Sequence, residues 1–93
     1  MAIITRIIWS KKFLKQRESL PPTIRQKLLG WIFLVERNGI HEVAKSKGLH
    51  DEPLKGSRWG QRSIRLNRSY RLIYRIIEDR ILIELLEVHK HDY

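Results

Sequence analysis

From Arg62 onward the chain alternates strictly: Ile64 and Leu66 interleave with Ser63, Arg65 and Asn67, and Leu72, Tyr74 and Ile76 interleave with Arg71, Ile73 and Arg75. A period of two is the signature of a strand with one face on the core and one face open. Asn67-Arg68 leaves room only for a tight connection, so the two runs read as neighbouring antiparallel strands. Arg65 and Arg71 then share the open face. Glu78-Asp79-Arg80 is the next turn, and residues 81–88 are nearly all apolar, as expected of a central third strand. His89-Lys-His-Asp-Tyr93 reads as a polar tail leaving that strand.

The first half has a different period. Residues 2–9 are rich in isoleucine and favour a strand, and Ser10 is a suitable N-cap for a short basic helix over residues 11–20. Pro21-Pro22 ends that helix and starts a second one, because proline is tolerated in the first helical turn. Ile24, Leu28, Leu29, Ile32 and Val35 recur at helical spacing, and Asn38-Gly39 closes the helix. Residues 40–61, punctuated by Gly48, Pro53, Gly56 and Gly60, read as loop-rich. Trp9, Trp31, Tyr70 and Tyr74 read as core aromatics. The expected fold is a single α+β domain over residues 1–93, of order β-α-α-β-β-β, with the N-terminal helices packed on an antiparallel sheet.

Charge is concentrated where the strands are. Between Lys55 and Arg75 stand Lys55, Arg58, Arg62, Arg65, Arg68, Arg71 and Arg75 with no acidic residue, in a chain of 93 residues and net charge +9. Six of these seven are arginine, whose guanidinium holds phosphate oxygens through two parallel hydrogen bonds. The segment suits a phosphodiester. With no cysteine, disulfides and thiolate metal sites are excluded. The N-terminal residues lack the pattern of a signal peptide and no apolar run reaches membrane length, so a soluble cytoplasmic protein without a membrane partner is expected.

Nucleotide hydrolysis and acyl chemistry find no support, since there is no phosphate-cradling glycine loop ending in lysine and no serine with histidine and acid at motif spacing. His89 and His91 with Asp51 or Glu52 make only a weak metal signal, and neither a metal nor another cofactor is expected. Cleaving RNA through its own 2′-hydroxyl is the better match. It needs a base, cations around the pentacovalent phosphate, and an acid for the 5′-oxygen. His50, Glu52, His89, His91 and Tyr93 offer the proton-transfer groups, and Lys55, Arg65 and Arg71 offer the cations.

Four short motifs in order, Glu52-Pro-Leu-Lys-Gly56, Arg62-Ser-Ile-Arg-Leu-Asn67, Tyr70-Arg-Leu-Ile-Tyr74 and His89-Lys-His-Asp-Tyr93, resemble the RelE/ParE superfamily of type II toxins. Within it, the chain looks most like the YoeB- and HigB-type ribosome-dependent mRNA interferases. The resemblance implies a microbial RNase fold, binding in the ribosomal A site, cleavage of the mRNA there, and neutralisation by a cognate acidic antitoxin. DNA would be reached only indirectly, through that antitoxin. Position by position, it implies Glu52 as general base, Lys55 as the cation of the Pro-Leu-Lys segment, Arg65 and Arg71 as the phosphate clamp, and His89 as general acid. The chain departs from the YoeB-like His-Tyr ending, which leaves His91 as a second candidate acid and Tyr93 as an orienter. His50 is an alternative base. Arg58, Trp59, Arg62 and Arg68 are candidate RNA contacts, Trp59 by stacking on a base. Two rival readings stand beside this one: a ParE-like toxin that binds DNA gyrase without RNase activity, and a noncatalytic RNA-binding module.

Overall fold

Ser10 ties the two halves of the chain together. In the computed structural model, which describes residues 5–79 and 81–90, its hydroxyl accepts from the N–H of Phe13 at 3.0 Å and donates to the carbonyl of Leu86 at 2.7 Å. The first contact caps helix α1 (Lys11–Glu18), which follows strand β1 (Arg6–Trp9). The second fastens the helix start to the far end of the sequence. Helix α2 (Pro22–Asn38) begins on Pro22 and buries Ile24, Leu28, Trp31 and Val35, one stripe at helical spacing. Gly39, at φ 84°, ends it with an N–H to the carbonyl of Val35 and turns the chain into the short α3 (Ile40–Val43).

The loop-rich stretch contains one two-residue strand, β2 (Glu52–Pro53), between turns of 3₁₀ helix at Lys47–Leu49 and Gly56–Arg58. Strands β3 (Arg62–Arg65), β4 (Tyr70–Glu78) and β5 (Leu82–Lys90) follow, and the sheet order is β1-β5-β4-β3-β2. The chain forms the expected α+β domain, with the expected hairpin of β3 and β4. The antiparallel pattern stops at one edge, where β1 runs parallel to β5, so the five-stranded sheet is mixed. Parallel pairing requires a long crossover, which the whole helical region supplies.

One face of the sheet carries Ile64, Leu66, Leu72, Tyr74, Ile83, Leu85 and Val88, which cluster with Phe13, Leu28, Trp31 and Val35 in the core. The run Ile83, Leu85, Val88 breaks the period of two. Ile73 pairs with Glu87 but Tyr74 pairs with Leu85, leaving Leu86 as an extra residue on β5. This bulge moves Val88 onto the core face and turns Glu87 and His89 to the other side. Gln16 of α1 accepts from the N–H of Val88 at 2.9 Å just beyond it.

Several expectations need correction. His89 lies inside β5, paired with Arg71, rather than in a tail. Leu29 is exposed on α2, because the buried stripe passes through Leu28 and Trp31 instead. Trp9 is also exposed, since β1 is an edge strand with little packed beyond it.

Candidate active site

The open face of the sheet is organised by register into two rows. Glu52 on β2 stands opposite Ser63 on β3, Ser63 opposite Ile73 on β4, and Ile73 opposite Glu87 on β5. The next row is Arg65, Arg71 and His89. These rows floor a cleft of 390 Å³ lined by Glu52, Leu54, Arg58, Ser63, Arg71, Ile73 and His89.

Arg65 and Arg71 face each other directly. Leu66 N–H donates to Tyr70 O at 2.9 Å, which makes that neighbouring pair the hydrogen-bonded one. The arginine pair is therefore the closer, non-hydrogen-bonded type, with Cα atoms about 4.5 Å apart. Arg71 is 8% exposed; its Nη1 lies 3.4 Å from Ser63 Oγ and 3.8 Å from Glu52 Oε1. The Nε atoms of both arginines are buried, with no partner among the described residues. Two adjacent cations with unmet donors are costly unless an anion comes to them. A phosphate would meet both demands.

Glu87 is the residue the sequence did not reveal. Its side chain is only 12% exposed, with Oε2 at 2.7 Å from Arg58 Nη1 and Oε1 at 3.2 Å from Lys12 Nζ and 3.4 Å from His89 Nε2. The hydrogen bond from Arg58, aided by Lys12 and opposed by burial, holds its carboxyl below the usual range. Nδ1 of His89 meets the carbonyl of Lys90 at 3.1 Å. Both ring nitrogens thus face oxygen atoms, Nδ1 a main-chain carbonyl and Nε2 the Glu87 carboxylate. The parity of an apolar strand would have put Glu87 in the core with Leu85; only the bulge brings it to the cleft.

Behind β2 lies a second cluster that sequence reasoning also missed. The Asp51 carboxylate is fully buried and accepts from the Tyr74 hydroxyl and from Arg62 Nε, the latter at 2.7 Å. Tyr74 packs on Trp31 with ring centroids 5.2 Å apart. Burial, reinforced by Asp51, pushes the Tyr74 phenol far above its usual range. Asp51 directly precedes Glu52, so this network fixes the strand that presents Glu52 to the cleft. Arg62 is committed to it on the face opposite Arg65 and Arg71.

The remaining candidates lie around the rim. Lys55 and Arg68 are exposed, and Trp59 is 85% exposed beyond the turn Gly56–Arg58. His50 is exposed in a left-handed conformation at φ 47°, one residue before Asp51. His91 and Tyr93 fall outside the described residues. Among the described residues, no three His, Cys, Asp or Glu side chains gather as a metal site, and no helix is long and apolar enough to cross a membrane.

The profile of the family described as "ParE toxin of type II toxin-antitoxin system, parDE" matches residues 7–93. This chain belongs to the ParE toxin family. It is thus a toxin of a type II toxin–antitoxin system within the RelE/ParE superfamily. Searched by sequence, no curated protein matches it. Solved structures do. The YoeB/ParE toxin from Agrobacterium tumefaciens superposes with a TM-score of 0.75 at 19% identity, covering 95% of this chain and 100% of that one. YafQ from E. coli gives 0.76 at 20% identity, over 94% and 93%. YoeB from Staphylococcus aureus, solved as a dimer, gives 0.70 at 23% identity, over 96% and 98%. At these identities the ParE family member shares with YoeB and YafQ a fold.

Proposed function

We propose that this toxin is a metal-independent endoribonuclease that cuts mRNA in the ribosomal A site and so halts translation. The observation that carries the reading is the row Arg65–Arg71–His89 with Glu52 on the other side of Arg71. In-line displacement at phosphorus needs base and acid on opposite sides of the reacting phosphate. Glu52 and His89 sit three strand spacings apart, about 14 Å between main chains, and both point into one cleft with Arg71 between them.

In this mechanism Glu52 takes the proton of the 2′-hydroxyl, and the 2′-oxygen attacks phosphorus. The bond to the 5′-oxygen breaks as His89 delivers a proton to it, leaving a 2′,3′-cyclic phosphate and a 5′-hydroxyl. Arg65 and Arg71, with Lys55 from the rim, hold the non-bridging oxygens as charge builds on them. His50 remains the alternative base, and His91 and Tyr93 remain alternatives at the acid side. Arg58, Trp59 and Arg68 extend the RNA surface. Small size fits, because the ribosome would do much of the substrate positioning.

The cognate antitoxin is expected to be acidic, against a net charge of +9. The S. aureus YoeB and E. coli YafQ structures include complexes with YefM and DinJ. An equivalent partner here would cover the arginine face in the cytoplasm and provide the only link to DNA.

The match to the ParE profile favours a second reading, in which the same fold binds DNA gyrase without cutting RNA. One experiment separates them. Purified toxin added to a translating extract should yield mRNA fragments with new 5′-hydroxyl ends and leave gyrase supercoiling unchanged; intact mRNA with arrested supercoiling would replace the first reading by the second.

A further inference from the structure

Glu87 has three positively charged or protonatable neighbours and no role in the steps above. Arg58 comes from the turn after β2, Lys12 from α1, and His89 from two residues along β5. Arg58 also donates to Gln61 Oε1 at 2.9 Å, which fixes the guanidinium in turn. A carboxylate gripped through both oxygens by two cations from separate elements cannot swing away. It is held ionised, so it is a poor proton donor and a poor base at neutral pH. Its remaining free direction is towards Nε2 of His89.

We propose that Glu87 is the positioning residue of the general acid: it holds the His89 imidazolium through Nε2 and leaves the Nδ1 proton to be delivered to the departing 5′-oxygen. This rests on the endoribonuclease reading. The Glu87 carboxylate, in an ion pair with Nε2 at 3.4 Å, stabilises the proton it faces more than a main-chain carbonyl does, so the Nε2 proton stays while the one at Nδ1, facing Lys90 O, is given up. After transfer the ring is neutral, still protonated on Nε2 and still held by Glu87. Lys12 and Arg58 keep the carboxylate in place, and Arg71, the cross-strand neighbour of His89, meets the phosphate beside it.

The test uses the full-length toxin on ribosomes carrying an mRNA with one 5′-bridging phosphorothiolate at the cut site. Sulfur departs without a proton, so a variant impaired only in acid catalysis regains its rate on this substrate. On ordinary mRNA, His89→Ala should lose about 100-fold or more in cleavage and Glu87→Gln about tenfold or more. On the sulfur substrate both losses should disappear, and Glu87→Gln should add nothing to His89→Ala. Glu87→Asp, which keeps the charge but retracts it, should fall between Gln and the native residue and be rescued likewise. If His89→Ala is rescued while Glu87→Gln and Glu87→Asp are not, Glu87 only supports the fold or RNA docking, and the inference is overturned. If His89→Ala itself is not rescued, the acid assignment fails and takes this inference with it.

Discussion

Arg65 and Arg71 oppose each other across β3 and β4, with both Nε atoms buried and without partners among the described residues. In the proposed function this pair is the receptor for the scissile phosphate. If it acts on charge that develops during cleavage, Arg71→Ala should lower the single-turnover rate on ribosomes by about 100-fold or more, with a much smaller loss of ribosome binding. Arg71→Lys should restore little, since the forked geometry is gone. Equal losses of binding and cleavage would mark the pair as docking charge.

Tyr74→Phe removes the hydroxyl that meets the buried Asp51 carboxylate. The expected cost is about 1–3 kcal/mol in urea unfolding at neutral pH, from a carboxylate left one donor short. The pH dependence has a definite sign. The folded phenol titrates above its unfolded value of 10.0, so its contribution is complete below that pH and declines as pH rises above it. Tyr74→Phe should therefore flatten the alkaline limb of stability. An unchanged limb would mean that burial, reinforced by Asp51, does not hold the phenol protonated.

On the acid side Glu87 gives the opposite sign. Its folded carboxyl titrates below the reference 4.5, so it stabilises the protein above that pH and ceases to as pH falls through its lower folded value. Arg58→Met should lessen this acid sensitivity, because Arg58 is the first cause of the shift. Melting temperatures of the two proteins between pH 3 and 6, a range set by ordinary carboxylate titration, would check it.

Binding of an acidic antitoxin should raise the melting temperature by mass action and suppress cleavage together. A tight complex that still cuts mRNA would show that the antitoxin does not cover the arginine face.

Deleting Leu86 tests how the cleft is built. Without that extra residue Glu87 follows Leu85 directly, so regular alternation keeps Leu85 and Val88 on the core face and Glu87 and His89 on the open one. The variant should keep cooperative unfolding, at some cost in stability from the lost Ser10 contact to the Leu86 carbonyl, and keep cleavage; loss of both would mean that this register does not set the two faces.

What was legible in the sequence follows the same logic. The β3–β4 hairpin was readable because polar and apolar residues alternate there, and alternation alone puts Arg65 beside Arg71. The helices were readable from their stripe and caps, although Leu29 and Leu28 are equally apolar and only packing separates them. In β5 almost every residue is apolar up to Val88, so parity carried no information and the bulge at Leu86 was invisible. That is why His89 was expected in a tail and Glu87 was overlooked. Asp51 was weighed only as a metal ligand, and its network escaped notice because its partners Arg62 and Tyr74 come from two different strands.

The parallel pairing of β1 with β5 joins segments so distant that the Ser10–Leu86 contact spans 76 residues. Contacts of that sequence separation close late, whereas β3, β4 and β5 can zip from neighbouring turns. Lys12 rides on the late-closing segment, and it is one of the two cations on Glu87. Refolding should then proceed in two kinetic stages, a meander that already aligns the arginines and a slower closure that finishes the acid side, so that competence to cut lags behind formation of the sheet.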